Sequence, residues 1–121
     1  MTPPRILLVD DELQVVRYMQ AALEENGYAV TPAISGEEAL SSIQANLPDL
    51  LILDLNMPPP DGFDLLKTVR SKYPYLRILV ISGYLHGPLL QAATLLGAIA
   101  TLEKPVAPEA LIAKVGELLG R

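Results

Sequence analysis

The chain of 121 residues contains no cysteine. That excludes disulfides, thiolate metal sites and thiol-based redox switching. Basic residues are also short: nine Lys and Arg stand against fourteen Asp and Glu, for a formal net charge of −5. Nonspecific nucleic-acid binding relies on a basic excess to neutralise phosphates, so no direct nucleic-acid contact is expected. A basic protein partner remains compatible with this charge. No apolar run approaches the ~18 residues that a membrane-crossing helix needs. The opening MTPPRILLVDDE has no apolar stretch of signal-peptide length before it meets acids. No membrane association and a cytoplasmic location follow as expectations. Apolar material is plentiful by contrast. Half of the residues are hydrophobic, and the length is that of one ordinary domain. No linker, low-complexity segment or appended output domain is visible, so residues 1–121 read as a single unit.

The rest of the chain is organised around residues 50–62, LLILDLNMPPPDG. Four apolar residues lead into Asp54, and a proline-rich loop follows that ends in Asp61-Gly62. A continuous apolar run bounded by turn residues suits a strand buried on both faces. RILLVD at residues 5–10 is a second such run. Residues 11–26 carry Leu13, Val16, Met19 and Leu23 at helical spacing, with Asn26-Gly27 as the stop. Residues 28–33 form a short strand whose Pro32 assigns it to a sheet edge. Ser35 and Glu38 form a capping box that opens a helix through Leu40, Ile43 and Leu47. Further on, Phe63, Leu66 and Val69 share a helix face, residues 76–81 are apolar and end in Ser82-Gly83, and Pro88 opens a helix over 89–96. A last strand at 99–102 leads to Glu103-Lys104-Pro105, and Pro108-Glu109 opens a terminal helix. Five strand–helix repeats predict a five-stranded parallel sheet with five helices on its two faces. With the second strand at the edge, the order is 2-1-3-4-5, a flavodoxin-like doubly wound sheet.

Such sheets bind ligands beyond the carboxyl ends of their strands, where strand order reverses. Asp10-Asp11, Asp54, Ser82 and Lys104 all stand at those ends. Like charges at ~4 Å and an effective dielectric of ~20 repel by about 4 kcal/mol per pair. A bound cation, a raised pKa or a neighbouring ammonium relieves this. The donors are hard oxygens with no His or Cys among them, which favours Mg2+. A carboxylate beside a divalent cation, an ammonium and a hydroxyl is suited to take up a phosphoryl group as an acyl phosphate. Asp54 is the nucleophile in this reading. No further group is placed to protonate a leaving group, so the chain reads as an acceptor and slow autohydrolase, not an enzyme. A magnesium-dependent aspartyl phosphohydrolase is the alternative, but it would need a second acid where Asn56 stands. A non-phosphorylated scaffold would have no use for the full acid and lysine set.

Asp10-Asp11, Asp54-x-x-Met57-Pro58-x-x-Asp61-Gly62, Ser82 and Lys104-Pro105, in that order, resemble the signature of response regulator receiver domains in two-component signalling, and the resemblance spans the whole chain. It implies that Asp54 is the phosphoacceptor. It further implies that Asp11, Asp54 and the backbone carbonyl of Asn56 ligate Mg2+, and that Asp10 holds a metal-bound water. Ser82 and Lys104 would bind the phosphoryl group, and the Lys104–Pro105 peptide would be cis. The donor would be a phosphohistidine on a sensor histidine kinase or phosphotransfer protein, and arrival of phosphate would be signalled by a conformational change.

Three positions depart from the family pattern. Ser82 stands for the usual threonine, Gly83 for the usual alanine, and Thr101 where an aromatic normally swings inward. Tyr84 is the candidate to take over part of that switch and to shield the phosphoryl group from water. His86, the only histidine, reads as a loop residue. Asp61-Gly62 reads as turn chemistry, and Pro58, Pro59 and Pro60 as loop stiffeners. Leu89, Leu90, Ala92, Ala93, Leu95 and Leu96 cover more than one helix face. The region from Leu89 to Leu102 is therefore the expected surface for a downstream protein target or self-dimerisation.

Overall fold

The computed structural model describes residues 2–57, 62–83 and 88–121. Strands and helices alternate as β1 (Arg5–Val9), α1 (Leu13–Glu25), β2 (Ala29–Ala33), α2 (Gly36–Ala45), β3 (Leu50–Asp54), α3 (Phe63–Lys72), β4 (Arg77–Ser82), α4 (Pro88–Leu95), β5 (Ala100–Glu103) and α5 (Pro108–Leu119). All five strands pair in parallel in the order β2-β1-β3-β4-β5. This is the sheet expected from the apolar runs.

The two-residue period of the strands divides the core. Leu7, Val9, Leu51, Leu53, Ile78 and Val80 face α2, α3 and α4, where Ile43, Leu66, Val69 and Ala93 meet them. Ile6, Leu8, Leu50, Ile52, Leu79 and Ile81 face α1 and α5, packing with Val16, Met19, Leu23, Leu111 and Val115. β3 is buried along its whole length, as a central strand covered on both faces should be. β2 is one of the two edge strands, with β5 at the other side, and Pro32 sits in it opposite Leu8. A missing N–H costs little there.

Some expectations shift by a residue or two. β1 stops at Val9, which leaves Asp10 just beyond the strand. α1 starts at Leu13, and Leu13 is 52% exposed instead of lying on the buried face. It occupies the first helical position, where the helix has not yet settled onto the sheet. Leu47 is also exposed, because α2 ends before it with Asn46 as C-cap. Ser35 caps α2 through its side chain, accepting from the Glu38 N–H. The Glu38 carboxylate returns to the Ile34 N–H, not to that of Ser35.

Two glycine positions are required by close approach, one next to the strand carboxyl ends and one at the opposite end of the sheet. Gly62 has φ +75, and a Cβ there would lie 2.9 Å from the Leu55 carbonyl oxygen. The chain after β3 folds back so tightly that only glycine fits. Gly97 has φ +111 and packs under Arg70. The Arg70 guanidinium donates to the carbonyls of Tyr73, Pro74 and Gly97, joining the end of α3 to the start of the β5 segment. In α4, Ala93 is buried, whereas Leu95 is 85% exposed. Ile99 is half exposed beside it in sequence. No helix among the described residues is long and apolar enough to cross a membrane. The expectations for Pro58, Pro59, Pro60, Asp61, Tyr84 and His86, and for the side chains of Leu89 and Leu90, fall outside the described residues.

Candidate functional site at the strand carboxyl ends

Register sets the site. Val9 lies opposite Leu53 across β1 and β3, so Asp10 and Asp54 come level as the next residue on each. β2 leaves on one side of this pair and β4 on the other, which makes it the point where strand order reverses. Asp10, Asp54 and Ser82 are the buried polar side chains among the described residues.

Lys104, in the connection after β5, reaches over this rim. Its Nζ lies 2.9 Å from Asp10 Oδ2, 3.2 Å from Asp54 Oδ2 and 3.4 Å from Glu12 Oε1. The remaining oxygens are held by backbone. Asp10 Oδ1 accepts from the Glu12 N–H at 2.9 Å, and Asp54 Oδ1 from the Asn56 N–H at 2.9 Å. Asn56 Oδ1 accepts from both the Ser82 hydroxyl and, at 3.0 Å, the Gly83 N–H. The Lys104–Pro105 peptide bond is cis.

Burial raises the Asp54 carboxyl from 3.8 to about 6. The Asn56 N–H opposes this, Asp10 adds to it through its negative charge, and Lys104 opposes it. Burial pulls the Lys104 ammonium down, but its hydrogen bonds to Asp10 and Asp54 and their charges outweigh that and hold it above its ordinary value. One ammonium thus serves three carboxylates, and negative charge remains in excess.

That excess is what a divalent cation would neutralise. Asp10, Glu12 and Asp54 each offer an oxygen within 4.8 Å of the others. A set made only of hard oxygens fits Mg2+. Of the residues singled out in sequence, the fold brings Asp10, Asp54 and Lys104 into direct contact. Ser82 joins them through the Asn56 side chain. Asp11 is exposed and lies outside the carboxylate group. Thr101 is half-buried in β5, opposite Val80. Sequence reasoning missed Glu12, whose only signal was its place as the third acid in Asp10-Asp11-Glu12. It weighed the Asn56 side chain only as an absent acid and as a neighbour of the phosphoryl group, and did not foresee its bonds to Ser82 and Gly83.

Fold and acidic rim together define a flavodoxin-like α/β domain with its site at the strand carboxyl ends. More narrowly, the chain belongs to the response regulator receiver domain family, whose model matches residues 6–116. Members of this family are the phosphoacceptor domains of two-component response regulators. The chain is 40% identical over 119 residues to response regulator MprA of a Mycobacterium species (strain KMS), covering 98% of this chain and 52% of that protein. It is 35% identical over 117 residues to the alkaline phosphatase synthesis transcriptional regulatory protein PhoP of Bacillus subtilis, covering 97% and 49%. Against the chemotaxis protein CheY4 of Vibrio cholerae the TM-score is 0.91 at 32% identity, covering 98% of this chain and 100% of that one. The chain spans between 24% and 52% of the length of the curated relatives it matches.

Proposed function

We propose that Asp54 is the phosphoacceptor of this receiver domain, charged by a phosphohistidine on a sensor histidine kinase or phosphotransfer protein. The observation that carries this reading is a buried carboxylate at the reversal of strand order, with the Lys104 ammonium 3.2 Å away. An Asp54 oxygen attacks phosphorus, the P–N bond to the imidazole breaks, and an acyl phosphate forms. Burial leaves the Asp54 carboxylate more basic than an ordinary aspartate. Lys104 holds an equatorial phosphoryl oxygen, and Ser82 bonds another once it leaves Asn56. Asp10, Asp54 and the Asn56 carbonyl would hold Mg2+, with Glu12 as an added carboxylate, and Asp11, exposed and outside that group, would join only by turning toward the ion. When bound, the metal offsets charge on the phosphoryl oxygens.

The hydrolase alternative lacks its acid: Asn56 carries an amide there, and its oxygen is engaged by two donors. The exposed apolar side chains of Leu95 and Ile99 support the α4–β5 region as the face that reads out phosphorylation, to a protein target or a second copy. Transcriptional control is a property of longer relatives such as PhoP. For this chain we extend the proposal only to a cytoplasmic signalling partner.

The test is intact mass after incubation with acetyl phosphate and Mg2+. Wild type should gain about 80 Da, one phosphoryl group, and Asp54→Ala should gain nothing. A wild-type protein without the adduct would return the scaffold reading.

A further inference from the structure

We propose that Tyr18 is a positioning residue for Lys104: held to the β5–α5 connection from α1, it fixes how closely the ammonium approaches Asp54. This rests on the reading of Asp54 and Lys104 given above.

Lys104 opens the connection of residues 104–107, and three points of contact hold it ahead of the start of α5, where the Ala107 carbonyl accepts the Leu111 N–H at 3.0 Å. The Lys104 N–H donates to the Ser82 carbonyl at 3.0 Å. The Val106 side chain is buried against the α1–α5 face of the sheet. The Val106 carbonyl accepts the hydroxyl of Tyr18, 88 residues away in sequence. The first point ties the connection to β4. The second is apolar burial, which has no direction. Among the described residues, Tyr18 is the one that ties the backbone of the connection to α1 with a directed bond. α1 is also the helix whose N-terminus follows Asp10 and Glu12, so the bond spans from the carboxylate side of the site to the lysine side.

The ring of Tyr18 supports the same geometry. Together with Val15, Pro105 and Val106 it lines a groove of about 390 Å³ that reaches Lys104 and Glu12. Tyr18 is 41% exposed, so water competes for its hydroxyl and the ring must be seated for the bond to persist. Lys104 is sensitive to small displacements. Its contacts to Asp10, Asp54 and Glu12 run from 2.9 to 3.4 Å, and hydrogen bonds lengthened past about 3.5 Å are lost. A drift of the connection toward solvent would take Nζ away from buried Asp54 while leaving exposed Glu12 within reach.

The test is a double-mutant cycle on the rate of phosphorylation by acetyl phosphate in saturating Mg2+, read by intact mass below the melting temperature of every variant. Tyr18→Phe should slow the reaction about three- to tenfold, the range set by one directed hydrogen bond. Tyr18→Leu, which also lacks the hydroxyl, should fall at least as far. Lys104→Ala should slow the reaction more, and adding Tyr18→Phe to it should change nothing further. If the two effects multiply, Tyr18 acts through the fold at large and the inference is overturned. It is also overturned if Tyr18→Phe reacts at the wild-type rate while Lys104→Ala is slow. A wild-type rate for Lys104→Ala sinks the reading of Lys104 itself, and the present inference with it.

Discussion

Two aspartates bracket β3, Asp49 just before it and Asp54 at its end. Asp49 is exposed. Its carboxylate accepts the Arg5 N–H at 2.8 Å, and its own N–H donates to the Arg5 carbonyl at 2.8 Å, which closes β1 onto β3. Asp54 is 1% exposed and has both oxygens bonded, to the Asn56 N–H and to Lys104. Asp49 thus meets a protein donor on one oxygen and Asp54 on both. They differ in what surrounds the bonds. Water reaches Asp49 and screens its charge. Asp54 shares a buried rim with Asp10 and has one ammonium to divide with it. Hydrogen bonding makes Asp49 a fastener. Burial with too little positive charge raises the Asp54 carboxyl well above the usual carboxylate range.

The contrast should be sharpest in phosphorylation itself. Asp54→Ala should lose the adduct entirely, whereas Asp49→Ala should accept it at the wild-type rate in the same intact-mass assay. Loss of the adduct in both would break the comparison.

Next in size is the dependence of stability on pH in metal-free protein. Asp54 is raised in the folded state, so at low pH it is protonated in both states and contributes no difference. As pH rises from 3.8 to about 6, the unfolded chain ionises first and the folded state loses stability relative to it. The loss amounts to about 3 kcal/mol once pH exceeds the folded value. Urea titrations in EDTA should show Asp54→Asn gaining on wild type across that window and holding the gain above it. A difference that does not vary with pH would mean that burial does not govern this carboxylate.

Mg2+ should then restore what the buried charges cost. At a concentration about a hundredfold above its dissociation constant, it should stabilise wild type by about 2.7 kcal/mol. Asp49→Ala should keep this gain and Asp10→Asn should lose most of it, as read by thermal melting with and without the ion. The smallest effect belongs to the fastener. Asp49→Ala should cost about 1 kcal/mol in urea unfolding, the worth of one hydrogen bond. A cost above about 3 kcal/mol would mark it as more than a surface clip.

The fold was legible because each buried strand is a short apolar run closed by polar or turn residues. Pro32 settled the edge, and strand order followed from it. Errors fell where periodicity has no neighbour to act through. Leu13 keeps helical spacing with Val16 and Met19, yet it lies at the first turn and stays exposed. The contacts among Asp10, Asp54 and Lys104 were legible because each residue ends or follows a strand and the register brings them level. Glu12 was not, since an acid at the start of a helix also reads as a solvated charge, and only the reach of Lys104 makes it part of the cluster. The Tyr18–Val106 bond was beyond sequence reasoning for another reason. Its partner is a backbone carbonyl, which every residue has, so nothing in the residue types marks the pair.

Asn56 holds the Ser82 hydroxyl and the Gly83 N–H on a single amide oxygen. If Asp54 takes up phosphate as proposed, an oxygen on the β4 side would meet donors that are already engaged. It can win them only by exchange, displacing a neutral acceptor with an ionised one. Charge-assisted bonds are about twice as strong as neutral ones, so the exchange runs forward, driven by the excess of the new bond over the old. On the phosphoacceptor reading, what β4 would register is the excess of a charge-assisted bond over a neutral one, and it would be lost once the incoming oxygen departs.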